Sequence, residues 1–403
     1  MRRLSLAFLL AAPQAWAQLP QTVTLDEVMR IVERSPRVAV SQREAEIARA
    51  ERAAAGAFAN PTLSLGRSTP SGGARTMFDA SSQQQATVEL PVPIFGQRGA
   101  RVRAADLQVG RAESQVRLTL VETKRLAGLE FIRLGAAREQ LAARRAALGD
   151  VERIRGLVAG RQESGMASRY DLARADAERA LAHLGVQRAL NELNEHAAAL
   201  GALVDSPGWR PQPATALGQL VAQLGDAEAD AAGNPALRVA RDETAAAEAR
   251  VELARRERFP VPALQLGRTW TSGPFGAANF VGVASEIPIL DTRRALEDRA
   301  IAEHGAARER ERALSATIRS DLQRQREALA VRREALASFE RDVFERQSAF
   351  LEMAESAYRL GRGTLFELLD ARRTQLEATL ARAELLAVIA ETQLELRALS
   401  GTL

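Results

Sequence analysis

The stretch Y-R-L-G-R-G-T-L-F-E-L-L-D-A, residues 358–371, decides how this 403-residue chain is read. Apolar residues at helical spacing run into it and out of it. At its centre Gly361 and Gly363 interrupt the helix, because glycine is the residue that most readily takes the left-handed backbone of a helix end. Glu367 and Asp370 follow at i and i+3, on one helical face. The stretch therefore reads as the turn of a long helical hairpin with a carboxylate pair just beyond it. A second copy, S-G-M-A-S-R-Y-D-L-A-R-A, surrounds Gly165. The two glycines are 196 residues apart, close to half the chain, so a tandem repeat is expected.

Outward from the turn, the rest of the second half is expected as follows. Residues 234–260 read as helical, ending at Pro260 and Pro262. A-L-Q-L-G-R at 263–268 alternates like a strand, and Val281, Val283, Ile287 and Ile289 alternate as its partner. A helix is expected over 292–360, with Leu322, Leu329, Leu336, Phe339, Val343 and Phe350 as a coiled-coil seam. The last helix spans 364–399. The first half follows the same plan. Residues 25–33 form a short helix whose Thr24 and Glu27 make a capping box. Residues 36–58 form a second helix. T-L-S-L-G-R at 62–67 and Val88, Leu90, Val92 and Ile94 read as strands, joined across the Gly/Ser/Pro loop 68–76. Helices then follow over 96–163, roughly 100 Å at 1.5 Å per residue, and over 168–203. The domains expected are thus a first repeat over 18–205, a poorly patterned linker over 206–233, and a second repeat over 234–403.

Residues 1–17 read as a secretory signal. Arg2 and Arg3 precede an apolar run from Leu4 to Ala12, and Ala15-Trp16-Ala17 is a cleavage site. No cysteine is present, so neither a disulfide framework nor an acylated amino-terminal cysteine is expected. No run of about 18 apolar residues follows the signal, so any membrane crossing must use strands closed into a barrel. The 55 basic residues are balanced by 51 acidic ones, and Lys124 is the only lysine. The acids are interspersed with the arginines, which excludes a basic stripe for nucleic acid. His183, His196 and His304 are scattered, so no metal site is expected. No nucleophile–base set, phosphate loop or cofactor motif is present, and no enzyme or cofactor is expected.

Four strands cannot close a transmembrane barrel, since such barrels begin near eight. Either the two strand pairs are small soluble hairpins, or several chains pool them. Helices of this length cannot bury both faces within one chain, which favours pooling. A secreted periplasmic helical-hairpin adaptor or interaction protein without a pore is the other reading that the residues leave open.

The signal, the tandem halves and the turn G-x-G-T-x-x-E-L-L-D-A resemble the TolC-type outer-membrane efflux proteins over essentially the whole mature chain. The stretches A-N-P-T-L-S-L at 59–65 and F-G-Q-R-G-A-R at 95–101 most resemble the heavy-metal, CzcC-like branch of that family. The resemblance implies a mostly α protein with a small β part. Its long hairpins form an α-barrel tunnel, and its four strands join a trimeric, twelve-stranded transmembrane β-barrel. It further implies a homotrimer in outer-membrane lipid, extending into the periplasm, a periplasmic adaptor protein and an inner-membrane, proton-driven pump. By this resemblance Glu367 and Asp370 line the pore constriction, and Tyr358 and Asp171 belong to the gate. The family's gate arginine falls on Gly363 here, and Arg362, one residue earlier, is its substitute. Gly165, Gly361, Gly363 and Thr364 form the turns that an adaptor touches. Phe366 is expected in the core.

Overall fold

The computed structural model describes residues 19–70, 81–226, 230–272 and 276–403. The expected signal and most of the loop 68–76 lie outside them. The elements of the first half are β1 (Thr22–Val23), α1 (Leu25–Val32), α2 (Pro36–Ala55), β2 (Thr62–Ser68), β3 (Gln83–Pro91), α3 (Gln97–Glu163), α4 (Arg169–Leu203), β4 (Gln212–Pro213) and α5 (Leu217–Leu224). Those of the second half are α6 (Pro235–Glu257), β5 (Ala263–Thr271), β6 (Ala277–Ala284), α7 (Arg294–Phe339), α8 (Gln347–Arg359) and α9 (Leu365–Ser400).

The chain forms two compact units, and α3, α7 and α9 contribute residues to both. One unit comprises Glu33–Arg125, Gly225–Val331 and Thr392–Leu403. Its sheet has the order β2-β3-β5-β6, antiparallel throughout. Leu63 lies opposite Val88, Val88 opposite Leu266, and Leu266 opposite Val281. Because side chains alternate between faces along a strand, this register places Leu63, Leu65, Val88, Leu90, Leu264, Leu266, Val281 and Val283 on one face. All eight are exposed, Leu65 at 76% and Val281 at 74%. The opposite face carries Gln83, Gln85, Thr87, Glu89, Gln265, Thr269 and Thr271, and Gln265 donates to Glu89 at 3.1 Å. Phe280 is the exception on that face. Its ring lies over Gly267, where an added Cβ would come within 2.2 Å of the ring.

The second strand of the later pair is shorter than its apolar alternation implies. β6 ends at Ala284, and Ile287 and Ile289 lie beyond it. Pro288 has no N–H to donate to a ladder, and the Ile289 N–H bonds back to the Ile287 carbonyl at 2.9 Å. At the helix end of the sheet three arginines are internally paired. Arg98 donates to the Gly56 carbonyl and lies 4.5 Å over the Phe58 ring, while Arg255 and Arg258 both bond Glu297.

The other unit comprises the residues up to Val32, Leu126–Leu224 and Arg332–Glu391. The Thr24–Glu27 capping box forms as expected: the Glu27 carboxylate accepts from the Thr24 N–H at 2.8 Å, and the Glu27 N–H donates to Thr24 Oγ1. These bonds, backbone first and side chain second, hold the Glu27 carboxyl below its ordinary range. Part of the segment read as a poorly patterned linker is ordered against this unit. β4 pairs in parallel with β1, and Trp209 Nε1 donates to the Pro20 carbonyl at 2.9 Å. In α5, Leu217, Leu220 and Leu224 share a buried face. Glu139 of α3 caps α5 by accepting from the Leu217 N–H at 2.8 Å, and Gly135 leaves room for the Leu217 side chain.

The helix expected over 292–360 is not continuous. A π-helical turn, Glu340–Phe344, separates α7 from α8, and the Glu345 N–H reaches the Glu340 carbonyl at 3.0 Å. An i→i+5 turn holds one residue more than an α turn, so the seam changes face there. Leu322 and Leu329 are buried, whereas Val343 and Phe350 are exposed. Arg382 of α9 secures the turn, bonding Glu340 at 2.8 Å with its guanidinium over the Phe344 ring.

Candidate functional site at the hairpin turns

Both hairpins turn by the same local chemistry. Each first helix ends in a glycine of left-handed backbone, Gly165 with φ +75° and Gly361 with φ +72°. The Gly165 N–H bonds the Gln162 carbonyl and the Met166 N–H bonds the Arg161 carbonyl; Gly361 to Tyr358 and Arg362 to Ala357 repeat the pattern. This is the Schellman arrangement. Each returning helix opens with a capping box. Ser168 and Asp171 exchange bonds of 3.0 Å in the first hairpin. Thr364 and Glu367 exchange bonds of 2.8 and 3.2 Å in the second. Asp171 and Glu367 are also 196 residues apart, so they are the same position of the two repeats. Gly363 is required for a different reason. A Cβ there would lie 3.1 Å from the Ala357 Cβ and 3.2 Å from backbone atoms of Ala357 and Tyr358.

Beneath the turns, Ile154 and Val158 of α3, Tyr358 of α8 and Leu365, Leu368 and Leu369 of α9 form one buried cluster, with Leu172 of α4 packed against it. Polar ties surround this cluster. Arg161 donates to the Tyr358 carbonyl at 3.0 Å and holds its guanidinium 4.7 Å above the Tyr358 ring. Arg372 lies between Asp150, at 2.6 Å, and Glu355, with only 13% of its side chain exposed. Arg373 bonds Glu178 and Arg155 bonds Asp176, both at 2.7 Å. The outer surface of the turns is apolar instead: Met166, Tyr170, Leu360 and Phe366 are all more than half exposed. Phe366 is therefore not a core residue. Leu365, Leu368 and Leu369 fill the buried face of α9, and Phe366 projects from the other face under the Arg174 guanidinium.

The expected gate residues each have their own local surroundings. Tyr358 is buried in the cluster, Asp171 is engaged by Ser168, and Arg362 is exposed. Beyond the turn's own Gly361 bond, Tyr358 takes a polar contact from Arg161, which the sequence reading missed. The signal for it was faint: a lone arginine four residues before Gly165. Glu367 and Asp370 do share an exposed face. The capping box accounts for Glu367 by itself. Asp370 has no hydrogen-bond or ionic partner among the described residues, so local structure leaves its charge unexplained.

Residues 229–402 match the sequence profile of the family described as outer membrane efflux protein. The fold of the whole chain resembles that of solved outer-membrane proteins. CusC, whose structures concern transmembrane channel formation, superposes with a TM-score of 0.79 at 16% identity over 95% of each chain. The Campylobacter jejuni CmeC outer membrane channel gives 0.77 at 14% identity, covering 96% of this chain and 90% of that one. The outer membrane protein VceC of Vibrio cholerae gives 0.76 at 16% identity, covering 94% and 96%. No curated protein sequence matches the chain. Among the described residues no helix is long and apolar enough to cross a membrane, and no group of three or more His, Asp or Glu is arranged to hold a metal ion.

Proposed function

We propose that the chain is the outer-membrane duct of a tripartite efflux system, a passive conduit for what an inner-membrane, proton-driven pump delivers through a periplasmic adaptor. The exposed apolar face of the sheet β2-β3-β5-β6 carries this reading. Eight large aliphatic side chains on one side of a sheet with two free edges have no stable place in water. In lipid the face is satisfied once the edges close. Three copies supply twelve strands. The nine residues of β5 span about 31 Å, or roughly 24 Å upright at a tilt near 40°, which matches the ~25 Å apolar band of such barrels.

In this reading the chain is two repeats, 18–205 and 234–403, joined by 206–233. The turns at Gly165 and at Gly361, Gly363 and Thr364, with their apolar surface, are where the adaptor docks. Glu367 and Asp370 line the constriction, with Asp370 the uncompensated charge. Tyr358, Asp171 and Arg362 are the gate residues, and Arg161 joins them through its hold on Tyr358. The two stretches at 59–65 and 95–101 favour heavy-metal cargo. Membrane fractionation tests the proposal. A detergent-resistant trimer in the outer membrane is expected, whereas a soluble periplasmic monomer would overturn the duct and favour a hairpin interaction protein.

A further inference from the structure

The outward face of the sheet is not apolar along its whole length. Its register gives four rows: Leu90–Leu264–Val283, then Leu63–Val88–Leu266–Val281, then Leu65–Ala86–Arg268–Asn279, and last Arg67–Gln84–Trp270–Ala277. The last two rows lie toward the connections 69–82 and 272–276. Helices α2, α3, α6 and α7 all join the sheet at its other end. With those helices in the periplasm, Arg67 and Arg268 stand on the lipid face at the level of the outer leaflet.

We infer that Arg67 and Arg268 form a binding site for the phosphate groups of an outer-leaflet lipid that carries more than one phosphate. The inference rests on the sheet being lipid-facing, as proposed above. An arginine on a lipid face is costly at the midplane and nearly free near the interface, so two of them fix the headgroup level. Trp270, in the last row, is the side chain expected at that level. Neither arginine is paired with an acid among the described residues. Among the described residues Arg67 has no hydrogen-bond or ionic partner, and Arg268 has only the Trp270 ring, 5.5 Å from its guanidinium. The described strands hold one acid, Glu89, on the opposite face. A cation in a poorly hydrated place needs an anion, and a guanidinium fork matches phosphate oxygens in pairs. Arg67 and Arg268 are two strands and one row apart, roughly 12 Å between Cα atoms, which two long side chains can bridge to neighbouring phosphates on one lipid. At the helix end of the sheet, by contrast, Arg98, Arg255 and Arg258 are held by groups of the protein itself.

The test uses trimers extracted from outer membranes in mild detergent, with bound lipid read by native mass spectrometry. The added probes are diphosphorylated lipid A and its dephosphorylated form. Recovery of membrane trimers is scored first, so failure of the duct reading is seen before any lipid is measured. Wild-type trimers are expected to retain the diphosphorylated lipid. Loss of one charge-assisted contact weakens binding by about tenfold or more, so Arg67→Gln with Arg268→Gln is expected to shed most of it. Arg67→Lys with Arg268→Lys should retain part, and Arg103→Gln with Arg308→Gln, an equal charge loss on the helices, should retain all. Equal retention by the Arg67→Gln/Arg268→Gln trimer, or equal binding of the dephosphorylated lipid, would overturn the site and leave the arginines merely reaching for water. Displacement by inorganic phosphate would overturn its assignment to a lipid.

Discussion

Arg372→Met removes the cation that ties α8 and α9 of the second hairpin to α3 of the first. In the structure Arg372 bonds Asp150 and Glu355, with 21% and 24% of their side chains exposed, and also reaches Gln375 at 3.1 Å. Breaking a buried pair from one side costs about 3–5 kcal/mol. Here the two acids retain some water. Asp150 also keeps Arg153, and Glu355 keeps Arg359 at 3.9 Å. The cost therefore falls at or just below that range, about 2–3 kcal/mol, which is roughly a 30- to 150-fold shift in the local opening of the hairpin. Amide hydrogen exchange over α8 reads that opening directly. Exchange there should accelerate by roughly that factor while the trimer persists. Arg373→Met is the matched comparison. Its pair with Glu178 is half exposed on the arginine side, and such pairs contribute about 0–1 kcal/mol. Combining Arg372→Met with Asp150→Asn and Glu355→Gln should restore much of the protection, since the stranded acids are then uncharged. Equal exchange in the Arg372→Met and Arg373→Met proteins would refute the reasoning, because the tie would then add nothing beyond a surface pair.

Val88 and Thr87 face opposite sides of the sheet in one of its middle rows, where Arg on a lipid face costs up to ~2–4 kcal/mol per chain. Val88→Arg should therefore lower trimer recovery from the membrane far more than Thr87→Arg, and equal yields would contradict the register. Gly361→Val places a β-branched residue at φ +72°, where any L side chain costs roughly 1–2 kcal/mol. Cross-linking to the adaptor should weaken while trimers still form; loss of the trimer would make the turn a folding element and not a docking one.

What the sequence made legible follows from locality. The turns were readable because a left-handed glycine and a capping box are written within seven residues, and are written twice, 196 residues apart. The faces of the strands were readable because alternation alone sets them. Pairing of β3 with β5 was not, because it joins residues about 180 apart and no local signal selects the partner. The π-helical turn was hidden for another reason. Phe339, Val343 and Phe350 keep helical spacing in sequence, and only the extra residue in the Glu340–Phe344 turn moves them to different faces. Helix α5 was missed though its Leu217, Leu220 and Leu224 pattern was present, because eight residues between turn-rich segments carry little periodicity. At the turns, the carboxylate pair was visible, but its division of labour was not. Glu367 is spent on a cap, and this shows only when Thr364 is seen to bond it.

Conductance of purified trimers in planar lipid bilayers tests the central claim most directly. Three chains place three copies each of Glu367 and Asp370 around one axis, and a ring of carboxylates concentrates cations and repels anions. The account predicts a small, cation-preferring conductance from the wild-type trimer. Glu367→Ala with Asp370→Ala should still conduct but lose much of that preference, along with any block by multivalent cations. A double variant with unchanged selectivity would return both acids to ordinary helix surface, and intact trimers that carry no current at all, in either form, would contradict the duct itself.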